Sequence, residues 1–233
     1  MRLRLPFLLL WALQITLSFA LCPWLLGQET SVKPGINERW KSPEIEPLID
    51  TLEAESREIY AARDQLAGLV GLKAGSVIAD VGSGSGFMTL EFAQRVGSNG
   101  KVYAVDINPE LLKHVLSQTH QAGYQNVETV VTAEDSVDLP ADSVDYVFLC
   151  DTYHHFEYPQ KSLASLYKAL RPGGEVVLVE FKRVPGESQD WVLEHVRAGK
   201  EVFKQEFLAA GFEFASEQDT PFLEENYVLR FRK

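Results

Sequence analysis

The segment from Ala79 to Phe87 contains the residue types and spacing best suited to chemistry. It begins with an acid, Asp80, and continues with glycines at alternate positions: Gly82, Gly84 and Gly86. Apolar residues before it predict a buried strand, and residues 88–93 after it predict a helix. Glycines let the backbone turn sharply and approach a ligand without side-chain collision. The helix N-terminus then presents its amide groups to that ligand. The pattern predicts a ligand held against bare backbone at a strand–turn–helix junction.

The spacing separates two classes of nucleotide ligand. The dinucleotide fingerprint requires G-x-G-x-x-G/A, whereas here the third glycine comes one place early and Phe87 stands where a small residue is needed. Asp80, two places before the first glycine, suits an ammonium-bearing ligand better than a pyrophosphate. Twenty residues after Gly86, a second predicted strand ends in Asp106. In either class its carboxylate can accept two hydrogen bonds from a ribose diol.

Together these residues resemble the cofactor motif of class I S-adenosylmethionine-dependent methyltransferases. Farther along, residues 133–135 and 139–145 resemble the loop and the approach to strand four of that family, and residues 170–174 resemble its turn into strand five. The resemblance runs in order from about Ile59 to the C-terminus. It implies S-adenosylmethionine as the cofactor. It also implies an α/β fold, a doubly wound, mostly parallel, seven-stranded Rossmann-like sheet with helices on both faces.

The resemblance also implies roles for individual residues. The implied cofactor-binding residues are Asp80, Gly82, Gly84, Gly86, Asp106, Ala133, Glu134 and Asp135. Asp80 would orient the amino group of the cofactor, Asp106 would hold its ribose, and the glycines would line the methionine and ribose portions. Either Glu134 or Asp135 would accept from the adenine amino group. The choice stays open, because the family often has an acid one place earlier, where this chain has Thr132.

The predicted fourth strand leads into the candidate catalytic residues, which are Asp151, His154 and His155. Asp151, at a strand's carboxyl end, would face the sulfonium and the nucleophile. Adjacent histidines can titrate near neutrality and accept a proton, and we expect one of the two to face the pocket. No metal site is predicted, since the pair lacks further ligands at suitable spacing. His195 is interpreted as structural.

Methyl transfer from a sulfonium is an in-line displacement with a neutral leaving group, so positioning matters more than proton removal. The favoured hypothesis is a methyltransferase for a small-molecule or lipid-like acceptor. Three aromatic residues could form the floor of the acceptor site: Phe156, Tyr158 and Trp191. One alternative is a nicotinamide-dependent oxidoreductase, which the glycine spacing and the lack of a Tyr-x-x-x-Lys pair disfavour. Another is a methyltransferase fold without catalytic activity.

Composition limits the partners. The 233-residue chain has a formal net charge of -11 and no basic stripe. This argues against nucleic acid as the substrate, because binding to phosphates depends on positive charge. The favoured partner is a small-molecule acceptor. The two cysteines, Cys22 and Cys150, indicate no disulfide framework, and the oligomeric state stays open.

The chain divides into three predicted parts. Residues 1–27, with two arginines ahead of a long apolar stretch, are typical of a signal peptide or membrane anchor. They predict an exported domain, periplasmic or extracellular, or a membrane-anchored one, which conflicts with a cofactor made in the cytosol. Residues 28–47 are predicted to form a linker or strap. Residues 48–233 form the predicted methyltransferase domain.

This domain is predicted to begin with a lid helix over residues 48–69. Three of its residues are candidates for contact with the cofactor or the substrate: Arg57, Tyr60 and Arg63.

Overall fold

The computed structural model describes residues 28–233, so the predicted signal or anchor segment lies outside the described residues. The strands are β1 (Val77–Val81), β2 (Lys101–Asp106), β3 (Val127–Val131), β4 (Val144–Cys150), β5 (Leu170–Phe181), β6 (Glu213–Gln218) and β7 (Asn226–Arg232). They form one seven-stranded sheet in the order β3-β2-β1-β4-β5-β7-β6. Every neighbouring pair from β3 to β5 is parallel, and β7 runs antiparallel to both β5 and β6. The predicted mostly parallel, seven-stranded sheet is confirmed.

Helices cover both faces of this sheet. They are α1 (Glu46–Leu52), α2 (Glu58–Ala61), α3 (Arg63–Val70), α4 (Phe87–Val96), α5 (Pro109–Gln121), α6 (Pro159–Ala169), α7 (Asp190–His195) and α8 (Lys200–Ala209). Successive strand residues point to opposite faces. Ile78 and Phe148 therefore belong to the apolar core shared with α3, α4 and α5, whereas Ala79 and Leu149 belong to the core shared with α6 and α8. Burial on both faces explains the continuous apolar runs of the parallel strands.

The start of α5 shows how a local signal shapes the fold. The Asn108 side-chain oxygen accepts from the amides of Glu110 and Leu111, and proline occupies the first helical position, as the sequence predicts. The side-chain nitrogen of Asn108, Nδ2, also donates to the carbonyls of Trp40 and Ser42, at 2.7 and 2.9 Å. One side chain thus caps a helix and ties the segment before α1 to the end of β2.

The lid region differs from the single helix predicted over 48–69. It forms three short helices, with one break between α1 and α2 and another at Ala62. At the first break Arg57 has an extended backbone, and its guanidinium donates to the carbonyl of Leu52 at 2.8 Å. The side chain thus satisfies a carbonyl that the helix end leaves free. The break places the end of α1 over the glycine loop.

Candidate functional site

A cavity of about 660 Å³ opens at the carboxyl ends of the central strands. Its volume is typical of small-molecule sites, which span roughly 300–1,000 Å³. The loops that follow β3, β2, β1, β4 and β5 line the cavity. They follow one another along it in the order of these strands in the sheet. We call the part after β1, β2 and β3 the glycine-loop end, and the part after β4 and β5 the histidine end.

Two of the three glycines line the cavity. Gly82 and Gly84 both have positive φ, +72° and +55°, which favours glycine. A Cβ at Gly82 would collide with the side chain of Thr152. Gly86 is placed differently from the prediction: it does not line this cavity, and a Cβ there would lie 2.8 Å from Val115 Cγ2 on α5. The third glycine allows close packing of α4 and α5.

The predicted acids at the ends of β1 and β2 lie side by side at the glycine-loop end. Asp80 and Asp106 are buried, with 3% and 8% of their surface exposed. Burial raises the pKa of Asp80 to about 7 and also raises the pKa of Asp106. Asp80 accepts from Thr89 Oγ1 at 2.6 Å, and Asp106 accepts from the amides of Gly84 and Asn108, both at 2.9 Å.

The Asp80 and Asp106 carboxylates and the Ser83 hydroxyl can each form further interactions with a ligand. Within residues 28–233, neither Asp80 nor Asp106 forms an ion pair with a lysine, arginine or histidine. Ser83 Oγ, on the loop between them, is buried and has no hydrogen-bond partner in the same part of the chain. Buried anions and hydroxyls without partners are costly. A ligand that carries a cation and a diol would supply what they lack, so the residues present fit S-adenosylmethionine.

Beyond β3, the structure separates the two acids between which the sequence could not decide. Ala133 and Glu134 line the cavity, and Glu134 pairs with Lys41 at 2.9 Å. Asp135 lies outside it, paired with Lys161 at 3.1 Å and partly exposed. Of the two acids, Glu134 is therefore the one that lies at the cavity.

Asp151 occupies the predicted place at the end of β4, in the middle of the cavity edge. Its backbone is left-handed, with φ +47°. Its carboxylate accepts from the guanidinium of Arg57 at 3.0 Å and from the side-chain nitrogen of Asn226, Nδ2, at 2.6 Å. Burial raises the pKa of Asp151 to about 7, although the nearby Arg57 guanidinium acts in the opposite direction. The carboxyl is therefore poised to exchange a proton near neutral pH.

Of the three lid residues singled out from the sequence, only Arg57 lines the cavity. The Arg63 guanidinium instead lies over the Tyr60 ring, 4.5 Å from its centroid. Asn226 was missed, and no sequence signal marks it. It reaches Asp151 because β7 pairs with β5, which sets Asn226 opposite Phe181.

Three histidines meet at the other end of the cavity. His154 and His155 lie in a 3₁₀ turn after β4, and both face the cavity, where the sequence predicted one. His195, interpreted as structural from the sequence, ends α7 and joins them. The Nε2 atoms of His155 and His195 are 3.3 Å apart.

These rings are not bases that titrate near neutrality. Burial is the main cause that lowers the pKa of His154 to about 3, of His155 to about 2 and of His195 to about 4. Nearby positive charge, including that of Lys33, adds to the effect. The rings are therefore neutral at physiological pH, which differs from the sequence expectation.

Glu180 on β5 is the other residue that the sequence reasoning missed. It is fully buried, and both of its carboxylate oxygens lie 2.9 Å from His154 Nδ1. Burial raises its pKa to about 7. The available signal was a single acid inside the apolar run of β5.

Among the three aromatic candidates, Phe156 and Trp191 line the cavity and Tyr158 does not.

A doubly wound sheet with an acid before the glycine loop and a second acid closing β2 defines a nucleoside-binding domain of the methyltransferase class. A family model described as a methyltransferase domain matches residues 72–226. The chain belongs to this family, and it is a class I S-adenosylmethionine-dependent methyltransferase domain. This assignment decides against the nicotinamide alternative.

Known proteins show where the similarity extends. The chain is 31% identical over 118 residues to the ubiquinone/menaquinone biosynthesis C-methyltransferase UbiE of Marinomonas sp. (strain MWYL1), which covers 50% of this chain and 47% of the relative. A relative of the same name from Hydrogenovibrio crunogenus is 30% identical over 117 residues, covering 50% of this chain and 46% of that protein. The chain thus spans about half the length of the curated relatives it matches.

Solved structures share the fold. A SAM-dependent methyltransferase from Aquifex aeolicus superimposes with a TM-score of 0.71 at 22% identity, covering 82% of this chain and 98% of that one. The 1,6-didemethyltoxoflavin-N1-methyltransferase of Burkholderia thailandensis, solved with bound 1,6-didemethyltoxoflavin and S-adenosylhomocysteine, superimposes with a TM-score of 0.62 at 20% identity, covering 85% of this chain and 87% of that one. At these identities the likeness concerns the fold.

The prediction of an exported or membrane-anchored domain is wrong. The curated relatives are named as C-methyltransferases of ubiquinone and menaquinone biosynthesis. Among residues 28–233, no helix combines the length and the apolar character that crossing a bilayer requires. The apolar stretch that carried the prediction, in residues 1–27, lies outside the described residues.

Proposed function

We propose that this protein methylates a carbon atom of a small, hydroxylated aromatic acceptor of the quinol type. The observation that carries the proposal is the continuity of the cavity. The acids and glycines suited to S-adenosylmethionine open directly onto a pocket end walled by aromatic rings. The naming of the relatives as quinone C-methyltransferases supports a carbon atom as the target.

The glycine-loop end would hold the cofactor. Asp80 would supply a buried negative charge for its amino group, Asp106 would accept from its ribose hydroxyls, and Glu134 would accept from the adenine amino group; all three line the cavity. When bound, S-adenosylmethionine supplies a methyl carbon on a positively charged sulfur, which in-line displacement transfers to the acceptor. Gly82 and Gly84 leave the backbone bare beside the cavity.

The histidine end would hold the acceptor. Phe156, Phe181 and Trp191 give it apolar walls that suit a flat ring. The Trp191 ring meets Phe181 edge to face, with centroids 5.1 Å apart, and remains 43% exposed. An aromatic ring held there is oriented and partly shielded from water, which is the main contribution that positioning makes to catalysis.

Asp151 would accept the proton of an acceptor hydroxyl. It lines the cavity between the two ends, and its pKa of about 7 means that it is partly ionised at neutral pH. Loss of a hydroxyl proton makes the neighbouring ring carbons more nucleophilic. Arg57 and Asn226 hold the carboxylate in place by the hydrogen bonds described above.

The test is a direct assay. The full chain is incubated with S-adenosylmethionine and a short-chain demethylated quinol kept reduced, and S-adenosylhomocysteine is measured together with the position of the new methyl group by NMR. We expect acceptor-dependent release and a methyl group on a ring carbon. A methyl group on oxygen would overturn the carbon assignment, and release that does not depend on the acceptor would overturn the acceptor class. The matched control is an acceptor whose ring carbons are all substituted.

A further inference from the structure

The cluster of His154, His155 and His195 has the arrangement of a metal site. One ring nitrogen of each lies within 4.8 Å of the others, and the Nε2 atoms of His155 and His195 are 3.3 Å apart. Around a tetrahedral ion with metal–nitrogen bonds of about 2.0–2.1 Å, ligand nitrogens lie about 3.3–3.4 Å from each other. We propose that these three histidines bind a divalent transition-metal ion of the zinc type at the histidine end of the cavity.

The protein holds each ligand in place from outside the cluster. Lys33 Nζ donates to the carbonyl of His195 at 2.6 Å, at the end of α7. Asn37 Nδ2 donates to the carbonyl of His155 at 3.1 Å. The ring of His155 also meets Trp40 edge to face, with centroids 5.8 Å apart. Ligands positioned before the ion arrives reduce the entropy lost on binding.

Glu180 determines which nitrogen of His154 is available. Its two oxygens accept from Nδ1, and one of them also accepts from the His154 amide at 2.9 Å. With the proton held on Nδ1, the lone pair is on Nε2. A carboxylate behind a ligating histidine is the usual arrangement at metal sites, where it orients the ring and raises its basicity.

The other two rings have lone pairs that the protein does not use fully. His155 Nδ1 is buried and has no hydrogen-bond partner in residues 28–233. The facing Nε2 atoms of His155 and His195 can share only one proton, whereas a metal ion between them would engage both lone pairs, and each neutral ring would then carry its proton on Nδ1. His155 Nδ1 has no protein partner in either case, so the facing pair of Nε2 atoms is what favours the ion.

The three imidazole ligands favour a transition-metal ion over magnesium or calcium. Imidazole nitrogens suit zinc, cobalt, nickel and copper, whereas magnesium and calcium prefer oxygen. The positive charges of Lys33 and Arg197 lie near the cluster and oppose a cation, and the buried Glu180 carboxylate offsets them in part. Three protein ligands leave the fourth position open, as in catalytic zinc sites.

An open position gives the ion a role that rests on the proposed function. The hydroxyl oxygen of the acceptor would bind there, and the ion would lower its pKa. The O–H bond breaks with its electron pair left on oxygen, and the proton passes to the Asp151 carboxylate. The metal site itself depends only on the geometry of the three histidines and Glu180.

The test uses the full metal-free chain with metal ions alone. Cobalt(II) is titrated in and followed by visible absorption, and zinc(II) binding is measured by calorimetry. We expect one ion per chain with the intense visible bands of four-coordinate cobalt. His195→Ala should abolish this binding, and Glu180→Gln should weaken it by about 10–100-fold. His120→Ala, an exposed histidine on α5, is the matched control and should bind as the parent does.

Two results would overturn the site: a parent protein that takes up no stoichiometric ion, or a His195→Ala variant that binds cobalt as tightly as the parent. Circular dichroism and thermal melting confirm that the variants fold, and His195 is only partly buried, so its replacement should be tolerated. Binding of S-adenosylhomocysteine is measured separately without metal. Failure of the metal site therefore leaves that measurement intact, and failure of cofactor binding leaves the metal titration intact.

Discussion

At the level of single residues, four buried carboxyl groups lie in the wall of the cavity or directly behind it. They are Asp80, Asp106, Asp151 and Glu180, and burial raises the pKa of each. Asp151 has a guanidinium partner in Arg57, and Glu180 has a histidine partner in His154. The two carboxyls at the glycine-loop end depend on a bound ligand for positive charge. Their ionisation and ligand binding should therefore be linked.

Affinity for S-adenosylmethionine should rise with pH. The pKa of Asp80 is about 7 in the free protein, and an ammonium group favours the ionised form, so binding below that pH releases a proton. The affinity should increase by up to about tenfold per pH unit below about pH 7 and level off above it. Calorimetry across this range checks the slope. Asp80→Asn should bind weakly with little pH dependence, and an unchanged slope in that variant would contradict the assignment.

Asp106→Ala should lower cofactor affinity at least tenfold. Hydrogen bonds to a charged group contribute about 1.5–3 kcal/mol, and about 1.4 kcal/mol corresponds to tenfold in affinity. Asp135→Ala is the matched control, because that acid is partly exposed and lies outside the cavity. Calorimetry with S-adenosylhomocysteine and a urea melt measure affinity and folding. Equal affinities for the two variants would refute the ribose role of Asp106.

At the level of elements, each glycine of the loop makes room for a different neighbour. A side chain at Gly82 would meet Thr152 after β4, one at Gly84 would meet Leu52 at the end of α1, and one at Gly86 would meet Val115 on α5. The alternate spacing therefore brings three elements against one turn. The same backbone that faces the ligand also joins the lid, the sheet and α5.

Gly82→Ala should destabilise the fold far more than Gly173→Ala. Both glycines have positive φ, +72° and +77°, so both variants incur the left-handed penalty of about 1–2 kcal/mol. A Cβ at Gly173 would have open space around it, whereas a Cβ at Gly82 would collide with Thr152. Overpacking adds about 1–3 kcal/mol. Urea unfolding compares the two variants, and equal losses of stability would show that the collision is relieved by a shift of the loop.

At the level of the whole molecule, residues 28–47 contact distant parts of the chain. Val32 donates to the carbonyl of Glu157 at 2.9 Å, Lys33 reaches the end of α7, and Trp40 accepts from Asn108 beyond β2. Ile36 and Trp40 also line the cavity. We propose that this segment acts as a strap that crosses the site, as its polar, proline-containing sequence predicts.

Cofactor binding should therefore protect the strap from hydrogen exchange. A ligand in the cavity adds contacts to strap residues and slows their local opening. Hydrogen-exchange mass spectrometry with and without S-adenosylhomocysteine measures this, and we expect slower exchange in peptides from residues 30–42. Strand β6, at the far edge of the sheet, is the internal control and should not change. Protection confined to the glycine loop would contradict the strap.

The sequence by itself determined where the buried strands and the helices lie along the chain and where the glycine loop turns. These features follow from local signals. Apolar runs mark strands buried on both faces, Asn108-Pro109 marks a helix start, and the glycine spacing marks a sharp turn. Each signal lies within a few residues and acts on backbone conformation and burial. Neighbouring residues therefore suffice to read it.

Only the tertiary structure decided which side chains meet. His195 reaches His155 from 40 residues away, and Asn226 reaches Asp151 from 75. Glu180 and His154, 26 residues apart, meet because β4 and β5 are neighbours in the sheet. A carboxyl or imidazole carries no local mark of its partner, because contacts between distant residues are set by strand order and helix packing. The three-histidine cluster could therefore not be read from the order of residues along the chain.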